Sequence, residues 1–175
     1  MEVVHVAEAP AVQELLRDAF TRLIEHVDAL TDGLSERDAT FRPTPQANSI
    51  AWLLWHSARV QDAQVADIAG VEQVWTSDGW VDRFGLDLPR GDTGYGHSAD
   101  DVGKVRAPAQ LLADYYRAVH AMTLDYVVTV DADELGRVVD TRWDPPVTAS
   151  VRLVSILDDC AQHLGQAAYV KGIIG

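Results

Sequence analysis

The chain has 175 residues and a formal net charge of −13, from 14 basic and 27 acidic side chains. This length suits one domain with its own hydrophobic core, and we expect a single domain over residues 1–175. An acidic chain without a cluster of Lys and Arg cannot readily displace counterions from nucleic acid, so nucleic-acid partners and anionic membranes are disfavoured.

The sequence also predicts where the protein works. No apolar run approaches the ~20 residues that span a bilayer, and the N-terminus lacks the basic and apolar regions of a signal peptide. We therefore expect a cytoplasmic protein that does not bind membranes. The one cysteine, Cys160, excludes an internal disulfide framework and a CxxC metal site, and we interpret it as a small buried hydrophobic residue rather than a nucleophile.

Apolar residues recur with helical spacing in four long stretches. The first predicted helix begins near Pro10, because proline suits a first helical turn. The second covers residues 50–69, with Asn48 or Ser49 as its cap and Gly70 as its stop. Its first turns are apolar nearly all round and predict a buried end, after which a polar face begins.

Long connections separate the remaining helices. Residues 71–105 form a long loop whose aromatic side chains indicate packing, as a lid. The third helix follows and ends at the acidic residues 131–134. Residues 138–151 contain paired prolines and predict an extended crossover segment, before a fourth helix over residues 148–173.

Four long helices predict an all-α protein, a four-helix bundle. Two of the three connections between them are long, which permits crossovers instead of a simple up-down-up-down order. Bundles of this kind build ligand sites from side chains on facing helices.

Three side chains on two of the predicted helices form a candidate metal site. Asp159 and His163 are four residues apart, so they lie one turn apart on one helix face. His56 on the second helix can meet them if the two polar patches face each other. Two imidazoles and one carboxylate leave coordination positions open and suit Zn²⁺, Ni²⁺, Fe²⁺ or Mn²⁺. The spacing is also common by chance, in which case His163 is a core-edge histidine and Asp159 a solvated carboxylate.

Other polar residues have less support from the sequence as functional residues. Arg59 and Asp62 follow His56 by one to two turns and are either solvated charges or partners that orient an imidazole. His97 lies among glycines in the long loop, where it could approach a metal or substrate. His26 and His120 are interpreted as core-edge or surface histidines.

The sequence resembles the DinB/YfiT-like superfamily, and within it the actinobacterial branch related to the N-terminal domain of mycothiol-dependent maleylpyruvate isomerase. Together the stretches that carry this resemblance span most of the chain, and the last two are fairly specific in combination. They are Asn48–His56, Val74–Trp80, Trp143–Thr148 and His163–Gly172.

The resemblance implies a four-helix bundle with a metal site of three histidines. The family's ligand on the second helix corresponds to His56. Its H-x3-H pair on the last helix corresponds to residues 159 and 163, and here the first of the two is an aspartate. The resemblance thus implies His56, Asp159 and His163 as metal ligands, with one departure from the family pattern.

The resemblance also implies an S-transferase or a related isomerase that acts on low-molecular-weight thiols such as mycothiol, with an electrophile as second substrate. A divalent metal that binds the thiol sulfur removes its proton and yields a nucleophilic thiolate. A metal-dependent hydrolase needs the same open coordination position, and a non-catalytic bundle that serves binding or dimerisation is the other alternative. A homodimer is expected by analogy with the family.

Overall fold

The structure is a computed structural model that describes residues 8–175. It is almost entirely helical. In chain order the elements are α1 (Glu8–Thr31), α2 (Glu36–Ala39), α3 (Ile50–Ala69), α4 (Val74–Ser77), α5 (Trp80–Phe84), α6 (Ala99–Lys104), α7 (Ala109–Val127), α8 (Ala132–Gly136), β1 (Val138–Asp140), β2 (Val147–Thr148) and α9 (Ala149–Ile174).

The four long helices form the predicted bundle. α1 and α3 each pack against both α7 and α9, so the order around the bundle is α1, α7, α3, α9. The side chain of Arg117 in α7 meets Asp28 near the end of α1, whereas Gln13 near its start bonds to the carbonyl of Val130, beyond the end of α7. α1 and α7 are therefore antiparallel.

Similar contacts show the directions in which α3 and α9 run. Cys160 and Arg152 of α9 meet Ser57 and Gln64 of α3, so these two helices are antiparallel. Lys171, near the end of α9, donates to carbonyls at the end of α1, so α1 and α9 are parallel. The chain order is thus up, down, down, up, and the connection from α3 to α7 is a crossover, as expected.

α3 has the predicted bounds because its end signals are local. The Ser49 hydroxyl accepts a hydrogen bond from the backbone N–H of Trp52, and Gly70 adopts a left-handed conformation with φ of 69°. The prediction that a polar, exposed face begins near His56 is wrong, however. α3 is buried from Ile50 through Asp62, since α7, α9 and the connection after α3 all cover it.

The connections contain more structure than the sequence predicted. The long loop includes α4, α5 and α6. The acidic segment does not end the third helix, because α7 stops at Val127 and the Asp131 side chain then caps α8 by accepting from the N–H of Glu134. The extended crossover is an antiparallel pair in which Val138 faces Thr148.

A core of buried side chains from all four long helices fills the bundle. The connection after α3 adds its own aromatic residues to this core. The largest fully buried apolar side chains are Phe20, Ile50, Leu53, Leu54, Trp55, Leu112, Tyr115, Tyr116, Leu153 and Ile156. Among residues 8–175, none of the helices combines the length and the apolar character that a bilayer crossing requires.

Candidate metal centre

The structure brings the three candidate ligands together at the α3–α9 seam. His56 from α3 and Asp159 and His163 from α9 each offer one ligand atom, and these atoms all lie within 4.8 Å of one another. The two imidazole ring centroids are 4.7 Å apart and the rings are inclined at 68°. The antiparallel packing of α3 and α9 creates this cluster from residues about 100 positions apart in the chain.

Backbone carbonyls fix the tautomer of both histidines. Nδ1 of His56 lies 2.5 Å from the carbonyl oxygen of Thr93, and Nδ1 of His163 lies 2.7 Å from the carbonyl oxygen of Asp159. A carbonyl oxygen only accepts hydrogen bonds, so each Nδ1 must carry a proton. The lone pair of each neutral ring is then on Nε2, the arrangement in which a histidine binds a metal.

Asp159 supplies the observation that favours a cation here. Its Oδ2 is buried and has no hydrogen-bond partner among the described residues. Nδ1 of His163 lies 3.5 Å from this oxygen, too far for a well-formed hydrogen bond. A buried carboxylate oxygen without a partner is costly, and a divalent ion shared with two imidazoles would remove that cost. The residues present therefore fit a metal.

The cluster is open on one side. The Asp159 side chain is 36% exposed and that of His163 is 19% exposed, whereas His56 is buried. Burial lowers the pKa of His56, as does the nearby imidazole of His163, and these effects outweigh the opposing ones of the Thr93 carbonyl and Asp159. His56 is thus neutral at neutral pH, which a metal ligand must be.

Two neighbours confine the His56 ring. The Trp52 ring stacks on it, with centroids 4.5 Å apart and planes inclined at 16°. Gly94 adopts φ of 89°, and a Cβ atom there would lie 2.8 Å from Nδ1 of His56. Only glycine tolerates both the backbone conformation and the close approach. Sequence reasoning missed Thr93 and Gly94, although the closely spaced glycines 94 and 96 were a signal for them.

His97 is bonded to Trp52 and lies outside the cluster of candidate ligands. Its Nδ1 accepts a hydrogen bond of 3.0 Å from Nε1 of Trp52, and its Nε2 lies 3.0 Å from Oδ2 of Asp92. Both ring nitrogens are therefore engaged. The hypothesis that His97 approaches the metal directly does not match this geometry.

The interpretation of Arg59 and Asp62 as solvated charges is wrong, because both side chains are fully buried. Asp62 accepts from the backbone N–H groups of Val74 and Trp75 and from the Tyr115 hydroxyl. Burial raises the pKa of Asp62 even though these hydrogen bonds and Arg59 oppose the rise. Nor do the two residues orient an imidazole directly; they fasten the connection after α3 to the bundle.

The remaining candidates lie outside the cluster. Cys160 is buried, and burial raises the pKa of its thiol to about 12, so it is unreactive near neutral pH. This agrees with its interpretation as a small hydrophobic residue. His26 is exposed and His120 is partly buried, as expected of surface and core-edge histidines.

The bundle and its seam cluster define a class of protein, the DinB/YfiT-like helical bundles, as the resemblance predicted. A family model described as mycothiol-S-transferase matches residues 15–174. The chain therefore belongs to the mycothiol-S-transferase family.

A solved structure supports the fold. The chain is similar to a conserved protein of a locus from Enterococcus faecalis, known from a crystal structure, with 36% sequence identity and a TM-score of 0.85. The match covers 91% of this chain and 94% of that one. No curated protein matches the chain.

Proposed function

We propose that this protein is a metal-dependent S-transferase that joins mycothiol, or a closely related thiol, to an electrophilic small molecule. His56, Asp159 and His163 would hold one divalent transition ion, Zn²⁺, Ni²⁺, Fe²⁺ or Mn²⁺. The observation that carries the proposal is the buried Asp159 oxygen without a partner among the described residues, within 4.8 Å of ligand atoms of two histidines. The family to which the chain belongs supports the thiol as substrate.

The residues of the chain have distinct roles in this proposal. A bound divalent ion supplies the Lewis acidity that lowers the pKa of a thiol and yields a thiolate at neutral pH. His56, with Nδ1 bonded to Thr93, offers Nε2 in a fixed direction. Asp159 neutralises one positive charge of the ion. Trp52 covers one face of His56 and excludes water from that side, so the thiol enters from the exposed side of Asp159.

The remainder of the thiol would occupy a cavity that Gln162, the neighbour of His163 in sequence, helps to line. An open cavity of about 670 Å³ lies along the α3–α9 seam, lined in part by the amides of Asn48, Gln162 and Gln166 and by Tyr169. Gln166 lies one turn from His163, and side chains three residues apart on a helix are neighbours. Uncharged amides that both donate and accept suit the hydroxyl groups of a sugar-bearing thiol.

Metal analysis is the first test. Protein purified without chelator or affinity-tag nickel should contain about one transition ion per chain, and His56→Ala and His163→Ala should each lose it. His26→Ala is the matched control, since His26 is exposed in a groove between α1 and α9. A metal-free wild-type protein that the two ligand substitutions leave equally stable would contradict the proposal.

Thiol kinetics are the second test. The wild type should consume mycothiol in the presence of a suitable electrophile from a panel, and metal removal should abolish the reaction. Gln166→Ala should raise KM for mycothiol while KM for N-acetylcysteine, which lacks the sugar, is unchanged. Gln110→Ala is a control because that exposed amide bonds to Asp114 on α7. Hydrolysis without any thiol would instead identify a metal-dependent hydrolase.

Two further sequence predictions accompany this proposal. The homodimer and the cytoplasmic location stay predictions, the first by analogy with the family and the second from the sequence. A bundle without metal and without turnover would support the alternative of a binding or dimerisation module.

A further inference from the structure

The orientation of His56 depends on a loop that contributes no candidate ligand. Thr93 of this loop holds the ring edge at Nδ1, and Gly94 lies against the same nitrogen. Trp52 holds the ring face, and Trp52 is in turn bonded to His97 of the same loop. The edge and the face of His56 are therefore both set by residues 92–97.

One carboxylate organises this loop. Oδ1 of Asp92 accepts from the backbone N–H of Gly94 at 2.8 Å, and Oδ2 accepts from Nε2 of His97 at 3.0 Å. The first bond shapes the turn that aims the Thr93 carbonyl at His56. The second sets the His97 tautomer, because a proton on Nε2 leaves Nδ1 free to accept from Trp52.

The loop is also tied to the bundle. The carbonyl oxygen of Asp92 accepts a hydrogen bond of 3.0 Å from Nε of Arg59, and Arg59 is fully buried. The His97 side chain is only 7% exposed and that of Asp92 is 20% exposed. These hydrogen bonds and the burial of His97 hold the loop against His56.

We propose that Asp92 and His97 are positioning residues for His56. Through Thr93 and Trp52 they fix the tautomer and the plane of the imidazole, so that Nε2 is free to bind an ion shared with Asp159 and His163. The inference rests on the proposed function, since the direction of Nε2 matters because the ring is to bind a metal. Residues that orient ligands typically change metal affinity by about 10–100-fold when removed.

Two substitutions of His97 separate positioning from simple packing. His97 stacks on Trp55 with ring centroids 5.9 Å apart, and His97→Phe keeps an aromatic ring there while it removes both hydrogen bonds. His97→Gln removes the ring but can still accept from Trp52 and donate to Asp92. If His97 only fills space, the Phe variant should resemble the wild type; if it positions Trp52, the Gln variant should.

The test measures zinc affinity by competition with a chelator and the visible absorption spectrum of the Co²⁺-loaded protein. We expect His97→Phe and Asp92→Ala to weaken zinc binding about 10–100-fold and to alter the Co²⁺ spectrum. His97→Gln should retain most of the affinity, and His26→Phe should match the wild type. Wild-type affinity in His97→Phe, or an equal loss in His97→Gln, would overturn the inference.

A measurement on the metal-free protein keeps this test separate from that of the proposed function. The ¹⁵N shifts of the His56 ring should report a single Nδ1–H tautomer in the wild type and a mixture in His97→Phe. If the wild type binds no zinc, the proposed function fails, and the tautomer result still decides the positioning role. If His97→Phe does not fold, Asp92→Ala takes its place, because it removes the acceptor that shapes the turn at Thr93; an unchanged His56 tautomer there overturns the inference.

Discussion

Asp159 is the residue in which this chain departs from the three-histidine pattern of the proteins it resembles. A carboxylate neutralises one charge of a divalent ion, so it binds the ion firmly and weakens its action as a Lewis acid. Its Oδ2 is buried without a hydrogen-bond partner among residues 8–175. The residue therefore has more to gain from a cation than either histidine.

Two substitutions of Asp159 test this role. Asp159→Asn removes the charge at constant size and should weaken zinc binding at least about 10-fold, an effect at least as large as the loss of a supporting residue. Asp159→His restores the family pattern and should retain the metal. Zinc content per chain and chelator competition measure both effects, and unchanged affinity in Asp159→Asn would remove Asp159 from the ligand set.

His120 gives a prediction of pH dependence away from the metal. Burial lowers its pKa from the ordinary value of 6.5, and the nearby charge of Arg17 lowers it further. Its Nδ1 is buried without a partner among the described residues. As the pH falls below about 6.5, the unfolded chain therefore binds a proton that the folded protein resists.

The contribution of this histidine to stability is thus present above about pH 6.5 and is lost as the pH falls through the lower folded value. In metal-free protein, the free energy of unfolding of the wild type should therefore fall relative to that of His120→Gln as the pH is lowered from about 7.5 to about 5. Urea unfolding at several pH values measures it. His26→Gln provides the comparison, and a difference for His120→Gln that is constant with pH would contradict the prediction.

At the scale of elements, the connection from α3 to α7 has two roles, one in packing against the bundle and one in contacting His56. Its short helices bury Trp75, Trp80 and Phe84 against Tyr115 of α7, and its later loop reaches His56. The sequence predicted a packed segment, and this is what the structure contains. A connection of this length would be unfavourable to order without such burial.

The two glycines of the loop allow a matched comparison. Gly96 adopts φ of 74°, and a Cβ added there would have nothing within 4 Å, whereas a Cβ on Gly94 would meet His56, Trp52 and Trp55 within 3.1 Å. Gly96→Ala should cost about 1–2 kcal/mol of stability from its backbone alone. Gly94→Ala should cost about 1–3 kcal/mol more from overpacking and should also weaken zinc binding. Equal effects of the two substitutions on urea unfolding would contradict the close approach.

Asp62 fastens the other end of this connection. Asp62→Ala would leave the fully buried Arg59 without its ionic partner and two backbone N–H groups without acceptors. We expect a loss of about 3–5 kcal/mol of unfolding free energy, measured by urea denaturation. The control is Asp82→Ala, which breaks an exposed pair with Arg90 and should cost far less, because exposed ion pairs contribute little to stability. Similar losses in both variants would show that burial of the Arg59–Asp62 pair is unimportant.

At the scale of the whole molecule, charge opposes compaction. The net charge of −13 is carried by only 175 residues, and folding brings these charges closer together. Salt screens such repulsion over distances beyond about 8–10 Å at physiological ionic strength. Exposed ion pairs such as Arg22–Asp18 lose stability in salt, but each contributes little.

The metal-free protein should therefore become more stable as salt is added. Raising NaCl from about 10 mM, where the Debye length is about 30 Å, to about 1 M should increase Tm by several degrees, as measured by circular dichroism. KCl at equal ionic strength should have the same effect, because the cause is screening rather than a specific ion. A Tm that falls with salt would show that attractive pairs outweigh the repulsion.

The sequence alone determined the long helices and named the three candidate ligands, His56, Asp159 and His163. α3 was predicted residue for residue because Ser49 and Gly70 act locally, and the same holds for the pairing of Asp159 with His163 on one helix face. The resemblance to a known family supported His56 as their partner, and the structure brings the three side chains together. Their role as metal ligands stays a prediction.

Only the tertiary structure decided the features that join distant parts of the chain. Arg59 and Asp62 look like surface charges because local patterns equate charge with exposure; they are buried because Tyr115 and the backbone of residues 74 and 75 pair with them. In the same way, Thr93, Gly94 and His97 gain their importance from the close approach of a loop to α3. The apolar periodicity of a helix can be recognised within a few turns of sequence. Burial of a charge and orientation of an imidazole depend instead on partners that only folding brings together.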